Sequence, residues 1–178
     1  MRDDDRVSRS SPAGTPPFGA PVATLSRYAP RADPAAGLIL VLAGALGMLQ
    51  LVLPWIAIGG GLSGSLTGWQ LFKTGRDQAL DLSSTIATYA LPGVAIAGVA
   101  MVLLGLAMFA PIDHRPLGTV GLLFALAATV LAGWWVFDTW DVRGGLGQIL
   151  GTVLPGWYLF LVSGPLGLVG SIKALVTG

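Results

Sequence analysis

The sequence contains no cysteine, no glutamate and no asparagine. Without cysteine the chain has no disulfide, no thiolate metal site and no thiol redox chemistry. Without asparagine it has no N-glycosylation sequon, and aspartate is its only side-chain carboxylate. These absences exclude several classes of site before any pattern in the sequence is considered.

Charge is also scarce, since 11% of the 178 residues are charged and 53% are hydrophobic. A soluble domain carries about 25% charged residues. A fold of this length cannot hide so much apolar surface from water, which indicates that lipid is part of its solvent. The net charge of +1 provides no basic face and there is no phosphate-binding loop, so no nucleic-acid partner is expected.

Residues 1–33 form a polar segment with prolines at positions 12, 16, 17, 21 and 30. The segment has too little apolar content to offset the entropy lost on ordering. This composition predicts a disordered, Pro-rich cytoplasmic tail at 1–33, followed by a membrane domain at 34–178.

Four long uncharged stretches follow the tail. The first includes AAGLILVLAGALGMLQLVLPWIAI at 35–58, which is long enough to cross a hydrocarbon core of about 30 Å as a helix. The predicted spans are 36–58, 86–110, 116–137 and 153–174, with outer loops at 59–85 and 138–152. The predicted fold is an all-α membrane protein, a four-transmembrane-helix bundle with a disordered N-terminal tail and a small folded outer cap.

The distribution of Lys and Arg predicts the orientation of the bundle. Seven of these residues lie on the side of the two termini and three lie on the other side, at Lys73, Arg76 and Arg143. Because short cytoplasmic loops carry the excess of Lys and Arg, we expect a multi-pass protein of the cell membrane with both termini in the cytoplasm.

Small residues recur at helical spacing in the predicted spans. Helices associate in lipid by close backbone approach, so these residues are the candidates for helix packing. They include Gly93, Ala97, Gly121, Ala125, Gly167 and Gly170. Two compatible interpretations are open: packing of the four helices on one another, and contact with a partner protein or a second copy. Gln50, the strongly polar residue deep in a span, is expected to hydrogen-bond across a helix contact.

Tryptophan is concentrated on the predicted outer side. The candidates for interaction or lipid contact are Trp55, Trp69, Trp134, Trp135, Trp140 and Trp157. One interpretation is an interfacial belt combined with folded loop cores. The other is a docking surface for an envelope lipid or for the outer domain of a partner. A short β-ribbon is possible in the glycine-rich part of the first outer loop.

The sequence contains little that could perform chemistry. The uncharged stretches lack the ionisable residues that mark proton relays and ion pathways. His114, the single histidine, is expected in a solvated inner turn. Asp77 with Asp81, and Asp138 with Asp141, offer at most two metal ligands per pair. We therefore predict no catalytic residue, no cofactor and no metal.

Leu53-Pro54-Trp55 stands at the exit of the first span, and Gly68-Trp69-Gln70 ends the glycine-rich loop that follows. This pattern resembles small four-span membrane proteins of high-GC actinobacteria, most of which have no assigned function. The resemblance implies four spans and a cytoplasmic Pro-rich tail, and no functional residue. The spacing from Trp55 to Gly68-Trp69 is also similar to the first extracellular loop of claudin-type proteins, but the cysteine pair of those loops is absent.

Two functional hypotheses remain. The first is a non-catalytic accessory or assembly subunit of a larger membrane complex. The alternative is the binding or transport of an apolar envelope lipid through a Trp-lined outer cap. A filled core would favour the first, whereas an apolar cavity reaching Trp134 and Trp157 would favour the second.

Overall fold

The computed structural model describes residues 32–57, 64–78, 82–143 and 153–177, with the backbone alone at 57 and 139–143. Its elements are α1 (Pro34–Leu49), β1 (Pro54–Ala57), β2 (Ser65–Thr67), α2 (Gly68–Gln78), α3 (Leu82–Ala107), α4 (His114–Arg143) and α5 (Pro155–Thr177). The predicted tail up to residue 31 and most of the predicted loop 138–152 lie outside the described residues.

Four apolar helices form a bundle in which each helix packs on two others. Helix α1 contacts α3 and α5, and α4 contacts the same two helices from the opposite side. Helices α3, α4 and α5 are long and apolar enough to cross a membrane. Helix α1 has 16 residues, which corresponds to about 24 Å. A mostly helical protein with several membrane-length helices is therefore confirmed.

The first helix ends earlier than the predicted span 36–58. It stops at Leu49, and Pro54–Ala57 is a β-strand. Pro54 has no N–H for a helix, and the residue before a proline is disfavoured in helical conformation. The carbonyls released at this end are satisfied within the protein, because Gln50 O accepts from Trp55 Nε1 and Leu51 O accepts from the Trp69 N–H.

A small layer of strands and one helix covers the end of the bundle at which Trp55 lies, called here the Trp55 end. Strand β1 pairs antiparallel with β2, and Ile56 also bridges to Val153 before α5. Helix α2 follows β2 and packs on the first part of α3, where Gly75 approaches Thr88. Helix α2 thus occupies the side of α3 beyond the end of α1.

The other helices also differ from the predicted spans at their ends. Helix α3 begins at Leu82, and α4 continues to Arg143 through part of the predicted outer loop. Asp138 therefore lies in a helix, where its Oδ1 accepts a hydrogen bond of 2.6 Å from Ser83 Oγ of α3. This cross-helix bond gives the polar extension of α4 a partner on α3.

Two apolar clusters fill the bundle along its length. One lies at the Trp55 end and includes Trp55, Leu91 and Phe160. The other includes Leu40, Met101 and Met108 and lies towards the opposite end, where Asp33 precedes α1. This opposite end is called here the Asp33 end.

Candidate functional site

Asp33 connects the ends of all four bundle helices. Its Oδ1 caps α1 by accepting the Ala36 N–H at 3.0 Å, and Pro34 at the first helical position needs no hydrogen-bond acceptor. Its own N–H lies 3.2 Å from Met108 O after α3 and 3.1 Å from His114 Nε2 of α4. Its carboxylate contacts Lys173 of α5 at 3.0 and 3.1 Å and also accepts from Thr177.

These contacts decide the charge state of Asp33. Burial on its own would raise the pKa of the carboxyl group, because the charged form loses water. The hydrogen bonds from Ala36, Thr177 and Lys173, together with the charge of Lys173, outweigh that effect and lower the pKa of Asp33 to about 2. Asp33 is therefore an anion at neutral pH, held by one cation and several donors.

Asp33→Asn is expected to lower the free energy of unfolding by about 1–2 kcal/mol at pH 7, because the neutral amide keeps the helix cap and loses the ion pair. The folded-state pKa lies below the value of ~3.9 for an unfolded chain. The stabilisation is thus complete above about pH 4 and is lost as the pH falls towards 2. Denaturation in detergent at pH 7 and at pH 2.5 measures both effects.

Asp113→Asn is the matched control for this prediction. Asp113 also accepts a backbone N–H at the start of a helix, from Arg115 at 3.1 Å, but it is exposed. We expect a change below about 0.5 kcal/mol. Equal losses in the two variants would show that the ion pair with Lys173 adds nothing to the effect of a carboxylate charge at the start of a helix.

The predictions for Asp33 and His114 need correction. The composition predicts Asp33 in the disordered tail, but Asp33 is 8% exposed and begins the folded domain. The sequence also predicts His114 in a solvated turn, but His114 is 2% exposed. The turn from α3 is so short that His114 is the first residue of α4, which brings its imidazole to the Asp33 N–H.

Trp55 occupies the centre of the opposite end. It is fully buried, and its Nε1 donates to Gln50 O at 2.6 Å. Its ring centroid lies 5.2 Å from that of Trp135 and 5.1 Å from that of Phe160. Such tilted and edge-to-face contacts are favourable beyond the area they bury. Gly68 and Gly156 pack on the indole, because a Cβ atom at either position would overlap it.

The six tryptophans do not form one surface. Trp55 and Trp157 are buried in the core, Trp135 is half-buried against Trp55, and Trp69 and Trp134 are 45% and 42% exposed. The side chain of Trp140 lies outside the described residues. Trp55 and Trp157 thus serve as the core of a folded layer and do not offer a surface for lipid or partner contact. The exposed candidates are Trp69 and Trp134.

The predicted packing residues lie at helix contacts. Gly93 faces Leu131 of α4, and Ala97 is buried in the core at the Trp55 end. Gly121 approaches Ser171 of α5.

The packing residues of α5 face α1, α3 and α4. A Cβ atom at Gly167 would lie 3.0 Å from Ala125 Cβ and 2.5 Å from Met101 Sδ. A Cβ atom at Gly170 would lie 3.0 Å from Ile39 Cγ2.

Two pairs of glycines bring the backbones of α1 and α3 into close contact, and Gly98 and Gly105 of α3 were absent from the predicted packing residues. A Cβ atom at Gly105 of α3 would lie 2.6 Å from Gly37 O of α1, and the converse distance is also 2.6 Å. Gly98 and Gly44 oppose each other in the same way. Gly37 and Gly44 are seven positions apart in α1, and Gly98 and Gly105 are seven positions apart in α3. Seven positions correspond to about two helical turns. Spacing of this kind predicts one continuous seam, and it could have identified the pairs.

Gln50 joins α1 to α3, as expected from the sequence. It is fully buried, and its Nε2 donates to Leu91 O at 2.9 Å. Its Oε1, like Trp157 Nε1 and Ser171 Oγ, has no hydrogen-bond partner among the described residues. A half-satisfied amide in an apolar core reduces the net stability gained from the cross-helix bond.

The described residues contain no group of three or more His, Cys, Asp or Glu side chains able to hold a metal ion. Asp77 is paired with Arg76 at 3.2 Å, and Asp138 is bonded to Ser83. The proposed second ligands, Asp81 and the side chain of Asp141, lie outside the description. Comparisons with protein-family models, curated proteins and solved structures found no match to the chain.

Proposed function

We propose that the chain is a four-span integral membrane protein of the cell membrane, with both termini in the cytoplasm, that serves as a non-catalytic accessory or assembly subunit of a larger membrane complex. Helix α1 is the fourth span, and the segment 50–57 completes its crossing, with Gln50 and Trp55 buried in the protein and Val52 68% exposed. Irregular backbone at membrane depth is tolerated where protein buries it, which is the arrangement around Trp55.

The proposal that the chain is a subunit rests on the exposed apolar face of α4, called here the uncovered face. In its most apolar stretch only 22% of the residues are buried, against 44% in α3 and 39% in α5. The outward face includes Leu123, Leu126, Val130 and Phe137. A Cβ atom added at Gly133 of this helix would have no neighbour within 4 Å apart from the adjacent backbone of the helix itself. An apolar face with an open glycine can accept the close approach of a partner helix.

The alternative, an apolar lipid bound through a Trp-lined cap, has weaker support. The aromatic rings of Trp55, Trp135 and Phe160 are in mutual contact at the place where a mouth would open. Trp157, assigned to that mouth, is 6% exposed. Lipid entry by this route would require these rings to separate.

The test is co-purification from the native membrane in a mild detergent, with identification of every protein that accompanies the chain. We expect a membrane-protein partner in stoichiometric amount, because the uncovered face of α4 would otherwise have no function beyond lipid contact. Recovery of the chain alone would overturn the proposal, and recovery of a second copy alone would make the protein self-associating and not accessory.

Two matched Val→Phe variants locate the contact. Val130 of α4 is 58% exposed and Val169 of α5 is 56% exposed, so both substitutions add the same bulk to an apolar surface. We expect Val130→Phe to reduce recovery of the partner about tenfold, which corresponds to about 1.4 kcal/mol. Val169→Phe is expected to leave recovery unchanged. Equal effects of the two variants would exclude α4 as the contact.

A further inference from the structure

Helix α2 has one face on the protein and another that is exposed. Its inward residues are Gly68, Leu71, Phe72 and Gly75, spaced as one helical face. The remaining positions are exposed, and Trp69 is the large aromatic residue among them. The exposed face therefore combines an aromatic ring with two cations, Lys73 and Arg76, one carboxylate, Asp77, and polar side chains.

Three aromatic rings connect this exposed face to the surface of α3. The ring centroids of Trp69 and Phe72 are 5.3 Å apart, and those of Phe72 and Tyr89 are 5.6 Å apart. Tyr89 of α3 is 51% exposed. The rings Trp69, Phe72 and Tyr89, called here the aromatic ladder, form a continuous contact from α2 to α3.

Below the aromatic ladder, α3 presents an apolar stripe. The exposed residues Ile96, Leu103 and Leu106 follow Tyr89 along the helix. From Tyr89 to Leu106 the helix rises about 26 Å at 1.5 Å per residue, which is close to the thickness of a hydrocarbon core. With the stripe in the hydrocarbon, Tyr89 lies at its boundary and Trp69 lies at headgroup level, where Tyr and Trp are enriched.

Lys73 places a positive charge at the top of the ladder. Its Nζ lies 5.6 Å from the centroid of the Trp69 ring, and among the described residues it has no ion-pair partner. Arg76, one turn further along α2, is paired with Asp77 at 3.2 Å. Lys73 is thus the cation of α2 whose charge is available to an anion.

We propose that the exposed face of α2 and the apolar stripe of α3 bind one anionic phospholipid of the outer leaflet. Lys73 meets the phosphate, Trp69 and Tyr89 flank the glycerol region, and an acyl chain follows Ile96 and Leu103. The phosphate supplies the negative partner that Lys73 lacks among the described residues, and an acyl chain supplies apolar contact for the stripe. The site rests on the proposed outer location of α2 and is independent of the role as a subunit.

The test measures lipid binding to the full chain in detergent, with phosphatidylglycerol and phosphatidylcholine of the same acyl composition as probes. Native mass spectrometry and the midpoint of thermal unfolding report binding. We expect phosphatidylglycerol to bind more tightly than phosphatidylcholine. Lys73→Gln should weaken phosphatidylglycerol binding about fivefold and phosphatidylcholine binding by a smaller factor, because both headgroups carry the phosphate but the choline cation already opposes Lys73. Trp69→Ala should weaken both lipids, because it removes part of the aromatic ladder.

Arg76→Gln is the matched control, because it removes one positive charge from the same exposed helix away from Trp69. We expect phosphatidylglycerol binding to remain within about twofold of the wild type. A loss equal to that of Lys73→Gln would mean attraction by net charge and would overturn a defined site. Absence of any preference for phosphatidylglycerol in the wild-type protein would also overturn it.

A separate experiment distinguishes failure of the lipid site from failure of the topology. Since the sequence contains no cysteine, Thr74→Cys on the exposed face of α2 provides a single thiol for an impermeant maleimide. Labelling of intact cells supports the outer location. Labelling only after permeabilisation would overturn both the topology and this site, whereas outer labelling without lipid preference would overturn the site alone.

Discussion

Gly98→Ala is expected to destabilise the bundle by about 2–3 kcal/mol, although it adds a single methyl group. A Cβ atom at Gly98 would lie 2.6 Å from Gly44 O and 3.4 Å from the backbone of Gly47. These atoms belong to the backbone of α1, so relief requires the two helices to move apart. The movement would also weaken the contact of Gly37 with Gly105 further along the seam. Unfolding in mixed detergent micelles measures the loss.

Gly133→Ala is the control, because it is the same substitution in another apolar helix. An added Cβ at Gly133 would have no atom within 4 Å apart from the backbone of its own helix turn. Alanine favours a helix over glycine by about 0.8–1 kcal/mol, so we expect no loss and a small gain. Two equal losses would show that the seam between α1 and α3 tolerates a methyl group and is not the tightest contact of the bundle.

Trp55→Ala is expected to lower the free energy of unfolding by about 3–5 kcal/mol, the range found when large aromatic side chains are removed from a core. The change removes the contacts with Trp135 and Phe160 and leaves Gln50 O without its indole donor. Near-ultraviolet circular dichroism should show the loss of aromatic order, and detergent denaturation should show the loss of stability.

Two further variants divide the effect of Trp55. Trp55→Phe keeps an aromatic ring and removes the hydrogen bond to Gln50 O, so we expect a smaller loss of about 1–2 kcal/mol. Trp69→Ala changes a tryptophan that is 45% exposed, and its expected effect is below about 1 kcal/mol. A loss for Trp69→Ala as large as that for Trp55→Ala would contradict the assignment of Trp55 as the core residue.

The helical class of the protein was predictable because hydropathy responds to length and composition alone. The end of α1 was not predictable in this way. The residues of β1 are as apolar as those of a span, and the hydropathy pattern contains no information about where backbone hydrogen bonds end. Pro54 was a signal for the end of the helix, but the pairing of β1 with β2 depends on contacts beyond the local sequence.

The polar contacts were less predictable than the helices, since they join residues far apart in the chain. Asp33 and Lys173 are 140 positions apart, and Asp33 stands at the end of a Pro-rich segment whose composition is typical of a disordered tail. The tryptophans were misleading for a related reason. An interfacial belt and a buried aromatic core contain the same residue type, and only the three-dimensional structure separates Trp55 from Trp69.

The contacts of Asp33 also imply an order of events during synthesis. Helix α1 emerges from the ribosome before the other three bundle helices, and α5 emerges after them. Lys173 and Thr177, which bind the Asp33 carboxylate, belong to the second half of α5. The bundle can therefore close at the Asp33 end only after α5 has been translated almost completely. Until then the Asp33 carboxylate has no cation beside it. A nascent chain arrested before Lys173 therefore differs from the translated bundle by an unneutralised negative charge beside the membrane.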